Sequence, residues 1–353
     1  MGHMTVVSLS SDTETRPAAG MRAAMAAAEV GDEQKGQDPT VARLQERVAD
    51  LLGKEAALWL PTGTMCNLVA VKTHTRPGDA LVAEAMAHVI RAESGGAALA
   101  SGVMVQGIHT ERGVFTPAEL EAAMDRVVAV PVPYGQPVGL VCVEQTHNFG
   151  GGAVWKREEL AAVGACARSR GVPLHMDGAR LMNASVASGI PAAAFAAEVD
   201  TLWIDFTKGL GAPIGAVLAG PRDFIAAARR YKQLFGGAMR QAGVAAAGCL
   251  YALDHHVDRL AEDHTHARLL AQGLAAIDGI EVRNAAPETN MIFFDVRGLG
   301  LRNREFVDRL AAAGVRMSGA GGQIRAVTHL DVSRQGIDRA LAAVAEIASA
   351  ARG

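Results

Sequence analysis

The sequence predicts a doubly wound α/β fold with a small α+β unit behind it. Three observations carry that expectation. Short apolar runs bounded by polar turns alternate with helical patterns between residues 56 and 219, as buried parallel strands and their crossover helices do. At 353 residues the chain is too long for one simple core and suits a large domain plus a smaller one. Beyond residue 290 the pattern changes to mixed strands and helices without that alternation.

The elements follow in chain order. Residues 8–16 are polar and irregular, and Pro17 opens a short helix. Residues 18–30 are alanine-rich, with Met21 and Met25 on one helical face. Residues 31–39 (GDEQKGQDP) form a loop by composition. Thr40 is expected to cap a second helix that runs to Leu52, with Val41, Leu44, Val48, Leu51 and Leu52 on its apolar side. Residues 56–60 read as a strand, Gly63 onward as a helix, and 80–83 as a strand. Strands are also expected at 140–143, 172–176, 201–204 and 212–219, with a helix at 157–170. A long helical stretch spans 222–276. In the tail, 291–296 and 324–327 read as strands, and 304–313 and 336–350 as helices. This divides the chain into an arm and helix at 5–30, a large α/β domain at 31–255 and a small α+β domain at 256–353.

Composition excludes several classes. Half of the residues are hydrophobic and 20% are charged, as in ordinary globular proteins. A net charge of -3 leaves no global basic surface for nucleic acid or an anionic membrane. No charge-free apolar run reaches the roughly 20 residues of a membrane span. Cys66, Cys142, Cys166 and Cys249 form no CxxC pair and no metal spacing, so they read as reduced core thiols of a cytosolic protein. The opening MGHM reads as an expression scar, with no signal peptide behind it.

Ligands of doubly wound sheets sit beyond the carboxyl ends of the strands, and three segments there carry chemistry. Pro61-Thr62-Gly63-Thr64 offers helix N-terminal amides and hydroxyls to a phosphate, or is a plain helix cap. Asp177 and Arg180, in HMDGAR, could pair with a protonated ring nitrogen and clamp a carboxylate through two parallel bonds, or could be a structural Asp–Arg pair. Lys208, in DFTKGLG, could attack an aldehyde, or be an ordinary loop lysine. Taken together, the three make one site with three handles for pyridoxal 5′-phosphate.

The motifs SDTETRP (11–17), QDPTV (37–41), LGKEAALWLPTGTMCN (52–67), EQTHN (144–148), HMDGARLMNA (175–184), KGLGAPIG (208–215), GGAMRQAG (236–243) and RAVTHLDVS (325–333) resemble, in the same order, those of the low-specificity L-threonine aldolases. The resemblance runs from about Ser11 to the C-terminus. It implies the pyridoxal-phosphate transferase fold type I, with a mostly parallel seven-stranded sheet flanked by helices. It further implies a homotetramer of tight dimers whose active sites lie at the dimer interface and borrow residues from a neighbouring chain; the composition adds a cytoplasmic location and no nucleic acid, membrane or metal partner. By resemblance Lys208 is the Schiff-base lysine, Asp177 meets the pyridine nitrogen, and Gly63 and Thr64 hold the phosphate, which Arg240 reaches from the neighbouring chain. Ser11, Arg180 and Arg325 bind the substrate carboxylate. His88 stacks on the cofactor ring, and His147 lies near the substrate hydroxyl as the candidate base, directly or through a water.

The implied reaction is retro-aldol cleavage of a β-hydroxy-α-amino acid, such as L-threonine, L-allo-threonine or β-phenylserine, to glycine and an aldehyde. β-Elimination, racemisation or transamination on the same scaffold, or cofactor binding without catalysis, are the alternatives. Two departures bear on substrate choice. Lys35 stands where the family commonly carries an aromatic, and residues 148–152 are glycine-rich. His255, His256, His264 and His266 are expected on a solvated helix face, without metal. Residues 319–322 (GAGG) read as a turn, since they lack dinucleotide-binding spacing.

Overall fold

In the computed structural model, which describes residues 6–131 and 133–352, the apolar runs become the strands of one large sheet. The MGHM start, and Thr5 at the head of the expected arm, lie outside the described residues. The first part of the chain forms β1 (Val7–Ser8), α1 (Ala19–Ala26), α2 (Pro39–Leu52), β2 (Ala56–Leu60), α3 (Gly63–His74), β3 (Ala80–Glu84), α4 (His88–Arg91), β4 (Met104–Ile108) and α5 (Pro117–Val128). The middle forms β5 (Val138–Glu144), α6 (Arg157–Ser169), β6 (Leu174–Gly178), α7 (Leu181–Ser188), α8 (Ala192–Ala196), β7 (Thr201–Asp205), β8 (Ala216–Gly220), α9 (Arg222–Leu234), α10 (Gly243–His255) and α11 (Leu260–Ala275). The tail forms β9 (Glu281–Val282), β10 (Met291–Asp295), α12 (Asn303–Ala312), β11 (Val315–Arg316), β12 (Ser318–Ala320), β13 (Gln323–Val327) and α13 (Arg334–Arg352).

The seven strands lie in the order β2-β8-β7-β6-β5-β3-β4. β4, β3, β5, β6 and β7 pair in parallel, while β8 runs antiparallel to both β7 and β2. Six strands therefore point one way and β8 the other, which is the mostly parallel seven-stranded sheet expected of the α/β fold. Strands β3, β6, β7 and β8 are buried on both faces, so they read largely as apolar runs rather than alternating ones. The small domain has an antiparallel sheet in the order β12-β13-β10-β9, beside the parallel pair β1–β11. Val7 and Leu9 of the N-terminal arm join its apolar core, together with Leu270, Phe294 and Phe306.

Several boundaries differ from the sequence reading, each for a local reason. Asp38, not Thr40, caps α2: its carboxylate accepts the N–H groups of Thr40 and Val41, and Pro39 takes the first helical position, which needs no donor. Gly53, at φ 63°, ends the helix in the left-handed region. α1 stops at Ala26 rather than Val30. The expected stretch 222–276 is three helices, parted at Gly236 (φ 79°) and again after His255. β4 and α5, unassigned from the sequence, occupy the sheet edge and the crossover beside it. His256, His264 and His266 are buried, and only His255 of the four is exposed. The expectation of a solvated face is overturned: α10 and α11 pack across the large domain and the small sheet, and His256 Nδ1 lies 2.6 Å from the Leu210 carbonyl.

Two further histidines are held as neutral rings, His175 buried and His74 half-buried. His74 Nε2 and His175 Nδ1 lie 2.8 and 2.9 Å from the single Thr201 hydroxyl. Burial pulls His74 down to about 4 and His175 down to about 3 from the ordinary 6.5. A folded-state pKa below the unfolded one gives stability that is present above pH 6.5 and is lost as pH falls toward the folded values. Each ring is expected to cost on the order of 2 kcal/mol at pH 5 relative to pH 7. Urea unfolding of His175→Asn beside the parent chain should show a pH 7-to-5 stability drop smaller by about that amount. Equal drops in the two proteins would mean that His175 is not buried neutral.

Candidate active site

A cavity of about 410 Å³ opens at the carboxyl ends of the parallel strands. β7 delivers Lys208 to its wall, β6 delivers Asp177 and Arg180, and β5 delivers Glu144 and Asn148. β2 leads into Gly63 and Thr64 at the start of α3. His88 follows β3, Ser11 comes from the arm, and Arg325 comes from β13 of the small domain. The structure thus brings Ser11, Gly63, Thr64, His88, Asp177, Arg180, Lys208 and Arg325 together, and leaves His147 and Arg240 off this wall.

Lys208 Nζ lies 2.8 Å from Asp205 Oδ2 and 5.8 Å from the centre of the Trp203 ring. Asp205 is steadied by the backbone N–H and hydroxyl of Thr207. Asp177 is buried; its Oδ2 accepts from Asn67 Nδ2 at 2.7 Å and its Oδ1 from the Ala179 N–H at 3.0 Å. Burial and then the neighbouring Glu144 push it up to about 6, while His88 and the Asn67 bond pull the other way. Carboxylates of this kind are held ionised at neutral pH by their donors.

The turn after β2 is shaped by Trp203. A Cβ on Gly63 would sit 2.3 Å from the indole ring, so only glycine lets α3 begin this close to β7. Thr62 caps the helix by accepting the Met65 N–H. The Gly63 and Thr64 amides, first in the helix, have no partner among the described residues, and the Thr64 side chain is exposed.

Arg180 has a partner that its motif does not announce. Its Nε and Nη2 make the two parallel bonds of a guanidinium fork, both 2.7 Å, to Asp12 of the arm. Both residues are buried, and Asn290 Nδ2 adds a third bond to Asp12. Burial alone would raise Asp12, but the guanidinium outweighs it and holds the carboxyl well below the usual range. The fork expected to clamp a ligand carboxylate therefore grips the N-terminal arm, and Nη1 remains for the cavity. Arg325 donates to Asn148 Oδ1 and to the Ser10 carbonyl, while its buried Nε has no partner among the described residues. Ser11 accepts from Thr13 at both backbone and hydroxyl, so its own O–H is left to donate.

The two histidines differ in kind. His88 has a side chain 34% exposed on the cavity wall. Its Nδ1 lies 2.8 Å from Glu93 Oε1 and its backbone N–H donates to Glu144, and the Glu93 bond above all raises its pKa. His147 is buried behind the wall, against a second cavity of about 120 Å³ lined also by Glu84, Phe149 and Arg283. Its Nδ1 accepts the Gly150 N–H at 3.1 Å, and its Nε2 approaches Glu84 to 3.1 Å and Glu144 to 3.9 Å. Burial opposes its protonation, but Glu144 and Glu84 together outweigh burial and lift its pKa.

Arg240 is 62% exposed on its own chain, with Nη1 3.3 Å from Asp32 Oδ2. Lys35 is also exposed and lies 3.7 Å from the same carboxylate oxygen. Beneath both, Glu33 and Lys232 form a buried pair at 2.6 Å. Sequence reasoning missed Asp12, Asn67 and Glu93. The first two stand inside motifs already quoted, SDTETRP and GTMCN, while Glu93 stands in none, and its spacing of five from His88 fits neither a helix face nor a strand face.

Comparison with known proteins places this geometry. A family model described as beta-eliminating lyase matches residues 8–297. The chain is 40% identical over 335 residues to low-specificity L-threonine aldolase 1 of Arabidopsis thaliana, covering 94% of this chain and 93% of that one. It is 39% identical over 330 residues to the low specificity L-threonine aldolase of Escherichia coli K12, covering 94% and 96%. Its fold matches that of Leishmania major threonine aldolase with a TM-score of 0.82 at 22% identity, covering 97% of this chain and 99% of that one.

The Asp12–Arg180 pair makes a direct test of the site's architecture. Asp12→Asn leaves a buried guanidinium without its counter-charge and should cost about 3–5 kcal/mol in urea unfolding of the apoprotein. A cost below about 1 kcal/mol, the range of an exposed pair, would mean that the arm is held by other contacts.

Proposed function

The chain belongs to the low-specificity L-threonine aldolases of the beta-eliminating lyase family, and from that premise we propose that this cavity cleaves L-threonine, L-allo-threonine and related β-hydroxy-α-amino acids to glycine and an aldehyde with pyridoxal 5′-phosphate as cofactor. The protein is a carbon–carbon lyase of the aldolase type. The observation that carries the reading is the convergence of Lys208, Asp177 and the α3 N-terminus on one cavity. The donor set fits the cofactor group by group: an amine for its aldehyde, a buried carboxylate for its ring nitrogen, and two unpaired amides with a hydroxyl for its phosphate. When bound, pyridoxal phosphate supplies the electron sink for the pair released as the Cα–Cβ bond breaks.

The chain's own groups divide the remaining work. Lys208 would hold the cofactor aldehyde, Asp177 the ring nitrogen proton, and Gly63 and Thr64 the phosphate. Arg325 and the Ser11 hydroxyl would bind the substrate carboxylate, with Arg180 adding Nη1. A carboxylate fixed on that side directs the Cα–Cβ bond across the ring plane, the orientation in which it breaks. The proton of the β-hydroxyl needs an acceptor titrating near neutrality. His88 is placed for that: its Nε2 has no partner among the described residues, and the side chain lines the cavity. His147 is the less suitable base, since both ring nitrogens face groups of its own chain. It would steady Glu144, which holds the His88 backbone.

Arg240, exposed and off the wall of its own chain, supports the reading that it reaches the phosphate of a neighbouring subunit in a homotetramer. Among the described residues, no helix is long and apolar enough to cross a membrane. A cytoplasmic location completes the proposal.

Purified protein loaded with pyridoxal phosphate should release aldehyde from L-threonine, L-allo-threonine or β-phenylserine, and Lys208→Ala should release none. Silence on all three substrates overturns the aldolase reading. His88→Phe should lower kcat by about 10²-fold, the usual size of a lost acid–base group. If His147→Phe did so at unchanged stability while His88→Phe did not, the proton would belong to His147.

A further inference from the structure

Glu93 takes no part in the chemistry above, yet it ties the site's central groups together. Its side chain is 2% exposed, and Oε1 meets both His88 Nδ1 at 2.8 Å and Asn67 Nδ2 at 2.7 Å. The same Asn67 nitrogen donates to Asp177 Oδ2 at 2.7 Å, while Asn67 Oδ1 accepts from Trp203 Nε1 at 2.7 Å. These bonds orient every group. An indole N–H can only donate, so the amide oxygen must face Trp203, which sends both amide hydrogens to the two carboxylates. An ionised carboxylate can only accept, so His88 carries a proton on Nδ1 and turns Nε2 toward the cavity.

We propose that Glu93 is a positioning residue for the reaction: it sets the tautomer and tilt of the His88 imidazole and, through Asn67, holds Asp177 where the cofactor ring nitrogen would meet it. The inference rests on the reading of this cavity as a pyridoxal phosphate site. A carboxylate buried without a lysine or arginine against it is costly, and an apolar side chain would fill a purely structural position better. Three acids face the His88 ring from separate elements, Glu93 after α4, Glu144 at the end of β5 and Asp177 at the end of β6, and all three favour its protonation. The cations of the same wall are Lys208, Arg180 and Arg325. One ligand atom each from His88, Glu93 and Asp177 lie within 4.8 Å of one another, but the Asn67 nitrogen already bonds to both carboxylates. The cluster therefore orients these groups and needs no metal ion to join them.

The test uses Glu93→Gln, which keeps the shape and removes the charge. Apoprotein is titrated with pyridoxal phosphate, and binding is followed through tryptophan fluorescence, since Trp203 lies beside Lys208. The His88 imidazole is titrated by NMR in the same apoproteins, its signal assigned by its loss in His88→Phe. Expected are about 10-fold weaker cofactor binding, the lower end of the effect of removing a group that orients a ligand-binding side chain, and a fall of about 1 unit in the His88 midpoint. Reduced stability with cofactor affinity and His88 midpoint both unmoved would overturn the proposal, because that is the mark of a structural carboxylate. If Glu93→Gln does not fold, the parent protein decides through the ring nitrogens of neutral His88, read by NMR: a proton on Nε2 overturns the proposal, and a proton on Nδ1, facing Glu93, supports it. A parent apoprotein that takes up no pyridoxal phosphate overturns the cofactor reading itself, a failure distinct from an unmoved Glu93→Gln.

Discussion

Four neighbouring parallel strands, β3, β5, β6 and β7, carry buried acids at their carboxyl ends: Glu84, Glu144, Asp177 and Asp205. Glu144 and Asp177 are direct register partners. Gathering like charges at a dry sheet edge is unfavourable both in desolvation and in mutual repulsion. The surrounding groups can be understood as the answer to that constraint. Glu84 takes the Met86 N–H and faces His147. Glu144 takes the backbone N–H groups of His88 and Asn148. Asp177 takes Asn67 and Ala179, and Asp205 takes Thr207 and Lys208. The edge so built is a pocket that favours positive charge.

The same edge explains why the site needs three parts of the chain. The sheet supplies acids but few cations. Arg325 arrives from the small domain, and the arm arrives with Asp12 to fix Arg180 at the end of β6. Because the arm also joins the small domain through β1–β11 and Leu9, the Asp12–Arg180 pair pins the two cores together beside the cavity. Arg180 thereby becomes a joint between the two cores. The short distances leave little room for it to swing toward a ligand while Asp12 stays ionised.

Much of this was legible beforehand where the code is local. The apolar runs at 56–60 and 201–204 became β2 and β7 almost to the residue, because a strand buried on both faces needs only a short unbroken apolar stretch. Lys208, Asp177 and Gly63 stand at strand ends as expected, since strand and turn chemistry are written in adjacent residues. β4, with exposed Met104 and Val105 at the sheet edge, has no such signature. The cap of α2 was misplaced by two residues, because Asp38 and Thr40 are both good caps and Pro39 between them decides.

What the sequence determined by itself was the alternation of elements, the order of the motifs and the kinds of functional group available. Only the tertiary structure decided which groups meet. Asp12 lies 168 positions from Arg180, and no periodicity signals that the arginine fork will close on it rather than on a ligand. His147 and His88 look alike as histidines near strand ends, yet one turns behind the wall toward Glu84 and the other lines the cavity. His256, His264 and His266 lie on stretches that look solvated in one dimension and are covered by a second core in three. Covalent neighbours set local conformation. Burial, and with it the charge state and partner of each polar group, is set by packing between distant segments.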